Sequence, residues 1–165
     1  MERGVDRLLS LAGNDGFECE VYAERVRRFQ VEVFRGEVES VDRSVDEGFA
    51  LRLVRHGRVG AAFTTATGAD GLFAVYAEAR GNVRAASPVD ADVLADFREA
   101  PARAGLFPRL PGEKDARIAL DGVREMEAAC YGTDDRVENT EGALYAEEVE
   151  EVLVAGTRGF LCRET

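Results

Sequence analysis

The sequence has no tryptophan, one histidine (His56) and one lysine (Lys114). A zinc hydrolase site of the helical kind needs two imidazoles about a turn apart with a carboxylate alongside, and one imidazole cannot supply it. A serine triad meets the same shortage, and no G-x-S-x-G occurs. The glycines are scattered at turn-like positions and form neither a P-loop nor a dinucleotide-binding loop. Three cysteines, Cys19, Cys130 and Cys162, lie far apart with no C-x-x-C pair, which removes zinc-ribbon and thioredoxin-like readings. No apolar run approaches the length of a membrane-spanning helix. The opening MERGVDRLLSLAG lacks the basic segment and long apolar core of a secretory signal. Cytoplasmic placement is therefore expected, with no membrane partner and reduced thiols packed as small apolar residues.

Positive charge is also scarce. The net charge is −11, and an acidic surface repels the phosphate backbone, so direct nucleic-acid binding is not expected. Arg25, Arg27 and Arg28 make a small basic cluster, read as a solvated strand face. His56 falls in a turn, where histidine tolerates positive φ, and is given no chemical role.

What remains is an ordinary globular composition, 45% apolar and 32% charged over 165 residues. A chain of this size buries roughly two-thirds of its unfolded surface and needs no metal or disulfide to fold. The pattern predicts a single domain spanning 1–165: a core over 1–86, a proline-rich crossing over 87–111, and a helix followed by a β-hairpin region over 112–165.

Val5, Leu8, Leu9 and Ala12 mark one side of a helix over 2–13, stopped by Gly13-Asn14-Asp15-Gly16. Phe17 to Arg27 reads as a strand with Cys19 inside, and Phe29, Val31 and Val33 read as a second. Arg35-Gly36 and His56-Gly57 are tight-turn signals in an antiparallel meander. Val38 and Val41 suggest a short strand, and the polar run Asp42–Gly48 a connection or irregular edge. Phe49, Leu51 and Leu53 lead into the second turn, with Val59, Ala61 and Phe63 returning.

The period then changes to helical over 71–85, with Asp70 as a cap and Gly81-Asn82 weakening the end. All four prolines lie in 86–111, where one helical turn near 92–97 is expected. A helix over 113–130 presents Ala116, Leu120, Val123, Met126 and Cys130 as its apolar stripe. Strand-like pieces follow at Ala143–Ala155 and Phe160–Arg163, joined by Gly156-Thr157-Arg158-Gly159. The sum is an α+β fold, an antiparallel sheet with covering helices. In the acidic run, alternation puts Glu148 and Glu150 on one strand face and Glu147 and Glu151 on the other. Such runs usually form a solvated face, and a small enzyme using these carboxylates and a metal is the weakest of the readings.

The ordered pieces Cys19-Glu20-Val21-Tyr22, Val31-Glu32-Val33-Phe34-Arg35-Gly36-Glu37-Val38-Glu39, Gly48-Phe49-Ala50-Leu51-Arg52-Leu53 and His56-Gly57-Arg58-Val59-Gly60-Ala61-Ala62 resemble the opening of TldD/PmbA proteins. Leu110-Pro111, the helix over 113–130 and Asp135-Arg136-Val137 are similar to the family more loosely. Phe34 and the Gly156–Gly159 turn depart from it.

The resemblance implies an N-terminal domain of a zinc-dependent peptidase, or of its partner subunit, in a family often described as modulators of DNA gyrase. The family's zinc motif, H-E-x-x-x-H, belongs to a C-terminal domain, and no such motif stands here. The chain by itself is accordingly expected to have no activity: catalytic residues none, cofactor-binding residues none, metal ligands none, and no residue assigned to peptide contact. Zinc is implied only for the C-terminal domain. The expected partners are an extended peptide or unfolded segment, a paired family subunit, or the protein's own C-terminal domain. The alternative is a stand-alone protein-interaction module with no associated protease.

Overall fold

The computed structural model describes residues 1–89, Leu94, 115–159 and 161–164. Its elements, in chain order, are α1 (Glu2–Asn14), β1 (Glu18–Phe34), β2 (Glu37–Arg55), β3 (Arg58–Thr64), α2 (Ala69–Ala85), α3 (Ala116–Tyr131), β4 (Ala143–Gly156) and β5 (Leu161–Glu164). The strands form one five-stranded antiparallel sheet in the order β3-β2-β1-β4-β5, and the class is α+β. The expected helical turn near 92–97 and most of the proline-rich crossing lie outside the described residues.

Both expected hairpin turns form. Arg35 and Gly36 have φ of 53° and 76°, and His56 and Gly57 have 51° and 71°. Two central residues at positive φ give the backbone twist that a two-residue hairpin needs to join right-twisted strands.

Four expectations are corrected. Residues 17–33 do not make two strands: β1 runs unbroken through Arg27 and Arg28, where no turn residue stands. Its alternation slips instead, with Cys19, Val21 and Ala23 buried, then Val26, then Val31 and Val33. Of the two readings of Asp42–Gly48 the connection fails: the run is the middle of β2, before β3 begins to pair at Phe49. Residues 41–46 are exposed on both faces, so no apolar alternation marks them as strand. Asp70 is not the cap of α2; Gly68 holds that position and Asp70 sits in the first turn. The buried stripe of α3 is Ala119, Val123 and Glu127, four residues apart each time, whereas Met126 and Cys130 are exposed. A buried glutamate in the stripe is what apolar periodicity could not anticipate.

The chain divides into two compact units, each discontinuous in sequence. The first comprises Met1–Arg25, Asp46–Leu106 and Glu150–Thr165. Its core packs Val5, Leu8 and Ala12 of α1 with Val75, Tyr76 and Ala79 of α2 against Cys19, Val21, Leu51 and Leu53 of the sheet. Gly60 of β3 lets α2 approach closely: a Cβ there would stand 2.3 Å from both the Ala79 carbonyl oxygen and the Val83 nitrogen. The second unit comprises Val26–Val45 and Phe107–Val149. Its core is Val31 and Val33 of β1, Ala119 and Val123 of α3, and Ala143 of β4, with Phe29, Leu120 and Tyr145 beside them.

Candidate functional site

Within the second unit the strand order leaves β2 and β4 on either side of β1. β3 pairs with β2 only from Phe49, opposite Thr64, to Arg55, opposite Arg58. β5 pairs with β4 only from Val152 to Ala155. Among the described residues, Glu37–Val45 of β2 and Ala143–Val149 of β4 therefore have β1 as their one strand neighbour. Each segment turns a row of backbone N–H and C=O groups outward.

The β2 edge carries apolar side chains into solvent: Val38, Val41 and Val45 are 40%, 55% and 65% exposed. Val41 and Val45, four residues apart, share one face of the strand. Glu37, Glu39 and Asp42 put carboxylates along the same segment, and the Arg43 guanidinium stacks 4.6 Å from the Phe29 ring centre of β1. The edge thus carries three exposed valines among charged and hydroxyl side chains, and no proline blocks it.

The hairpin leading into this edge is held by Glu127. Its Oε1 accepts the Arg35 N–H and its Oε2 the Gly36 N–H, each at 2.7 Å, and the Thr140 hydroxyl donates to Oε1 at 2.9 Å. Successive N–H groups at positive φ make an anion-binding concavity, and here the carboxylate of α3 fills it. The Gly36 N–H holds the Glu127 carboxyl below the ordinary glutamate range; burial opposes this, and the Thr140 and Arg35 bonds add to it.

The basic cluster expected as a solvated face carries ion pairs, and Arg28 with its partner Glu148 is exposed. Arg25 bonds Glu47 at 2.7 Å through Nε and reaches Glu151 at 3.7 Å, and Arg28 bonds Glu148 at 2.6 Å. Burial raises the Glu47 carboxyl, but Arg25 and the Met1 amino group outweigh it and the net shift is downward. The acidic run keeps the expected faces: Glu148 and Glu150 are exposed, Glu147 and Glu151 half-buried. Arg163 adds a second partner to Glu151 at 3.6 Å.

These pairs bear on metal binding. Among the described residues no three of histidine, cysteine, aspartate and glutamate converge. Glu47, Glu148 and Glu151 are each bonded to an arginine instead. Cys19 is 1% exposed, and burial, with a lesser push from Glu20, raises its thiol to about 12. His56 lies in its turn beside a cleft of the first unit lined by Asp15, Arg55, Arg58, Arg80 and Arg84. No helix among the described residues is long and apolar enough to cross a membrane.

Sequence reading missed Glu127 and the length of the β2 edge. The signal for Glu127 was its place four residues after Val123, on the buried face of an amphipathic helix.

Residues 19–83 match the family described as PmbA/TldA metallopeptidase domain 1. No curated protein matches the chain. Among solved structures it is similar to a candidate modulator of a DNA gyrase from Thermotoga maritima, with a TM-score of 0.69 and 18% identity over 99% of this chain and 36% of that one. TldE from Thermococcus kodakarensis gives a TM-score of 0.68 and 15% identity over 98% of this chain and 36% of that one. A candidate modulator of DNA gyrase from Bacteroides thetaiotaomicron gives 0.67 and 17% over 99% and 38%. The chain thus spans little more than a third of the length of these structures. Residues 19–83 thus carry the match to the first domain of the TldD/PmbA family, and the chain shares the fold of these structures over nearly its whole length.

Proposed function

We propose that this domain holds an extended peptide, or a segment of a paired family subunit, by strand addition at the outer edge of β2, while catalysis resides in a different domain of a TldD/PmbA-type peptidase. The observation that carries the reading is the outward row of backbone groups along Glu37–Val45. Main-chain pairing gives affinity with little sequence preference, which suits a protease that takes unfolded segments. The exposed Val41 and Val45 supply apolar contact on one face. Glu37, Glu39 and Asp42 favour a basic peptide over an acidic one, with a salt-sensitive margin. The domain works in the cytoplasm, among reduced thiols.

The test is a titration of the purified chain with an unstructured peptide of alternating threonine and lysine, followed by backbone amide shifts. Saturable shifts in Glu37–Val45 are expected. Absence of any association at millimolar peptide, together with no association with a family partner subunit, sinks the reading.

A further inference from the structure

The first unit contains a concentration of positive charge that the acidic composition makes unexpected. A cleft of about 460 Å³ is lined by Asp15, Phe17, Arg55, His56, Arg58, Arg80, Val83 and Arg84. Four arginines from β2, β3 and α2 line it with a single acidic residue, in a chain whose net charge is −11.

Three of the four are fixed in place. The Arg55 guanidinium lies 5.3 Å from the Phe17 ring centre and donates to the Asp15 carbonyl oxygen at 3.1 Å. Arg80 stacks 5.6 Å from the Tyr76 ring centre and donates to the Asp15 carboxylate at 3.0 Å. Arg58 donates to the Ala86 carbonyl oxygen. Arg84, one helical turn beyond Arg80, is exposed and has no partner among the described residues. Each guanidinium has five N–H donors in a planar fork, so these contacts leave most of the donors available. Like charges gathered in one cleft repel, and Asp15 is already committed to Arg80 and Tyr76. A doubly accepting anion would relieve the repulsion and use the forks bidentately.

We propose that this cleft binds an oxyanion, either a carboxylate or a phosphate group, through Arg58, Arg80 and Arg84. It involves none of the residues of the β2 edge, so the two sites stand or fall separately. Phe17 and Val83 line the same cleft and give the ligand an apolar contact beside the charge.

The experiment is calorimetric titration of the whole chain with three probes: inorganic phosphate, an acetylated glycine tripeptide with a free C-terminal carboxylate, and the same tripeptide as its amide. Binding of phosphate, of the free carboxylate or of both supports the site and identifies the source of the anion; the amide is expected not to bind. Arg84→Gln, at an exposed position, is expected to weaken binding at least fivefold without lowering the melting temperature. Arg84→Lys restores part of the affinity. Arg7→Gln, on the exposed side of α1, is the charge-matched control and leaves binding unchanged. The proposal is overturned if neither anion binds saturably at millimolar concentration, or if Arg84→Gln and Arg7→Gln weaken binding equally.

Discussion

Glu127 Oε2 accepts the backbone N–H of Gly36 at 2.7 Å, so a helix carboxylate serves as the anion of a β-turn. Glu127 is 2% exposed, and its Oε1 accepts from Arg35 and Thr140 as well. Removing the carboxylate by Glu127→Ala takes away the acceptor of three hydrogen bonds, two of them from backbone N–H groups, and bonds to a charged acceptor are among the stronger ones. The expected outcome is a melting temperature several degrees lower, with Glu127→Gln in between because one acceptor oxygen remains. The pH dependence follows from the depressed folded-state value. Stability from this group is fully present above the ordinary range of an unfolded glutamate and is lost as pH falls through its lower folded value. Wild type and Glu127→Gln therefore converge in melting temperature as the solution is acidified, and calorimetry across that range checks it.

Close packing of α2 on β3 gives an opposed pair of glycine variants. At Gly60 a methyl group would meet the Ala79 carbonyl and the Val83 nitrogen of α2 at 2.3 Å. Gly60→Ala is expected to destabilise by about 2–3 kcal/mol through overpacking against backbone. Gly81, in α2 itself, has nothing within 4 Å of the added Cβ. Gly81→Ala is expected to stabilise by about 0.5–1 kcal/mol through helix propensity. Urea unfolding of both variants decides it, and an equal effect at the two sites would contradict the packing.

The three thiols should separate by reactivity. Cys130 is exposed, Cys162 half-buried and Cys19 buried, with its thiol raised to about 12. Alkylation of the folded chain at neutral pH is expected to label Cys130 first and to leave Cys19 unmodified until denaturant is added. Peptide mapping by mass spectrometry reads the order directly.

Tyr76 joins α2 to the end of α1. Its hydroxyl donates to Asp15 Oδ2 at 2.5 Å, and burial, then the Asp15 bond, raise the phenol to about 12. The same bond, with Arg80 second, holds the Asp15 carboxyl below the ordinary aspartate range. Tyr76→Phe is expected to cost about 1 kcal/mol, the net worth of one hydrogen bond, with the ring packing retained. Chemical denaturation checks the magnitude, and a neutral result would show the hydroxyl to be equally well served by water.

Much of the fold was legible because local chemistry agreed with tertiary demand. Arg35-Gly36 and His56-Gly57 announced their hairpins, and the apolar spacing of Val5, Leu8 and Ala12 announced α1. Legibility failed where burial did not alternate. Residues 41–46 of β2 are wet on both faces, so they looked like a loop, although backbone pairing to β1 makes them strand. On α3 the inward residue Glu127 is polar, which hid the true stripe and promoted the exposed Met126 and Cys130 in its place. The arginine cleft draws on positions 55, 58, 80 and 84, brought together only once α2 lies on β3. No spacing rule in the chain could assemble it.

Strand addition at β2 is tested most directly by hydrogen exchange of the backbone amides in Glu37–Val45, measured with and without the threonine–lysine peptide. Alternate amides, those facing outward, are expected to gain protection when peptide is bound, while the amides already bonded to β1 change little. Unchanged exchange along this segment at saturating peptide, with protection arising elsewhere, would contradict it.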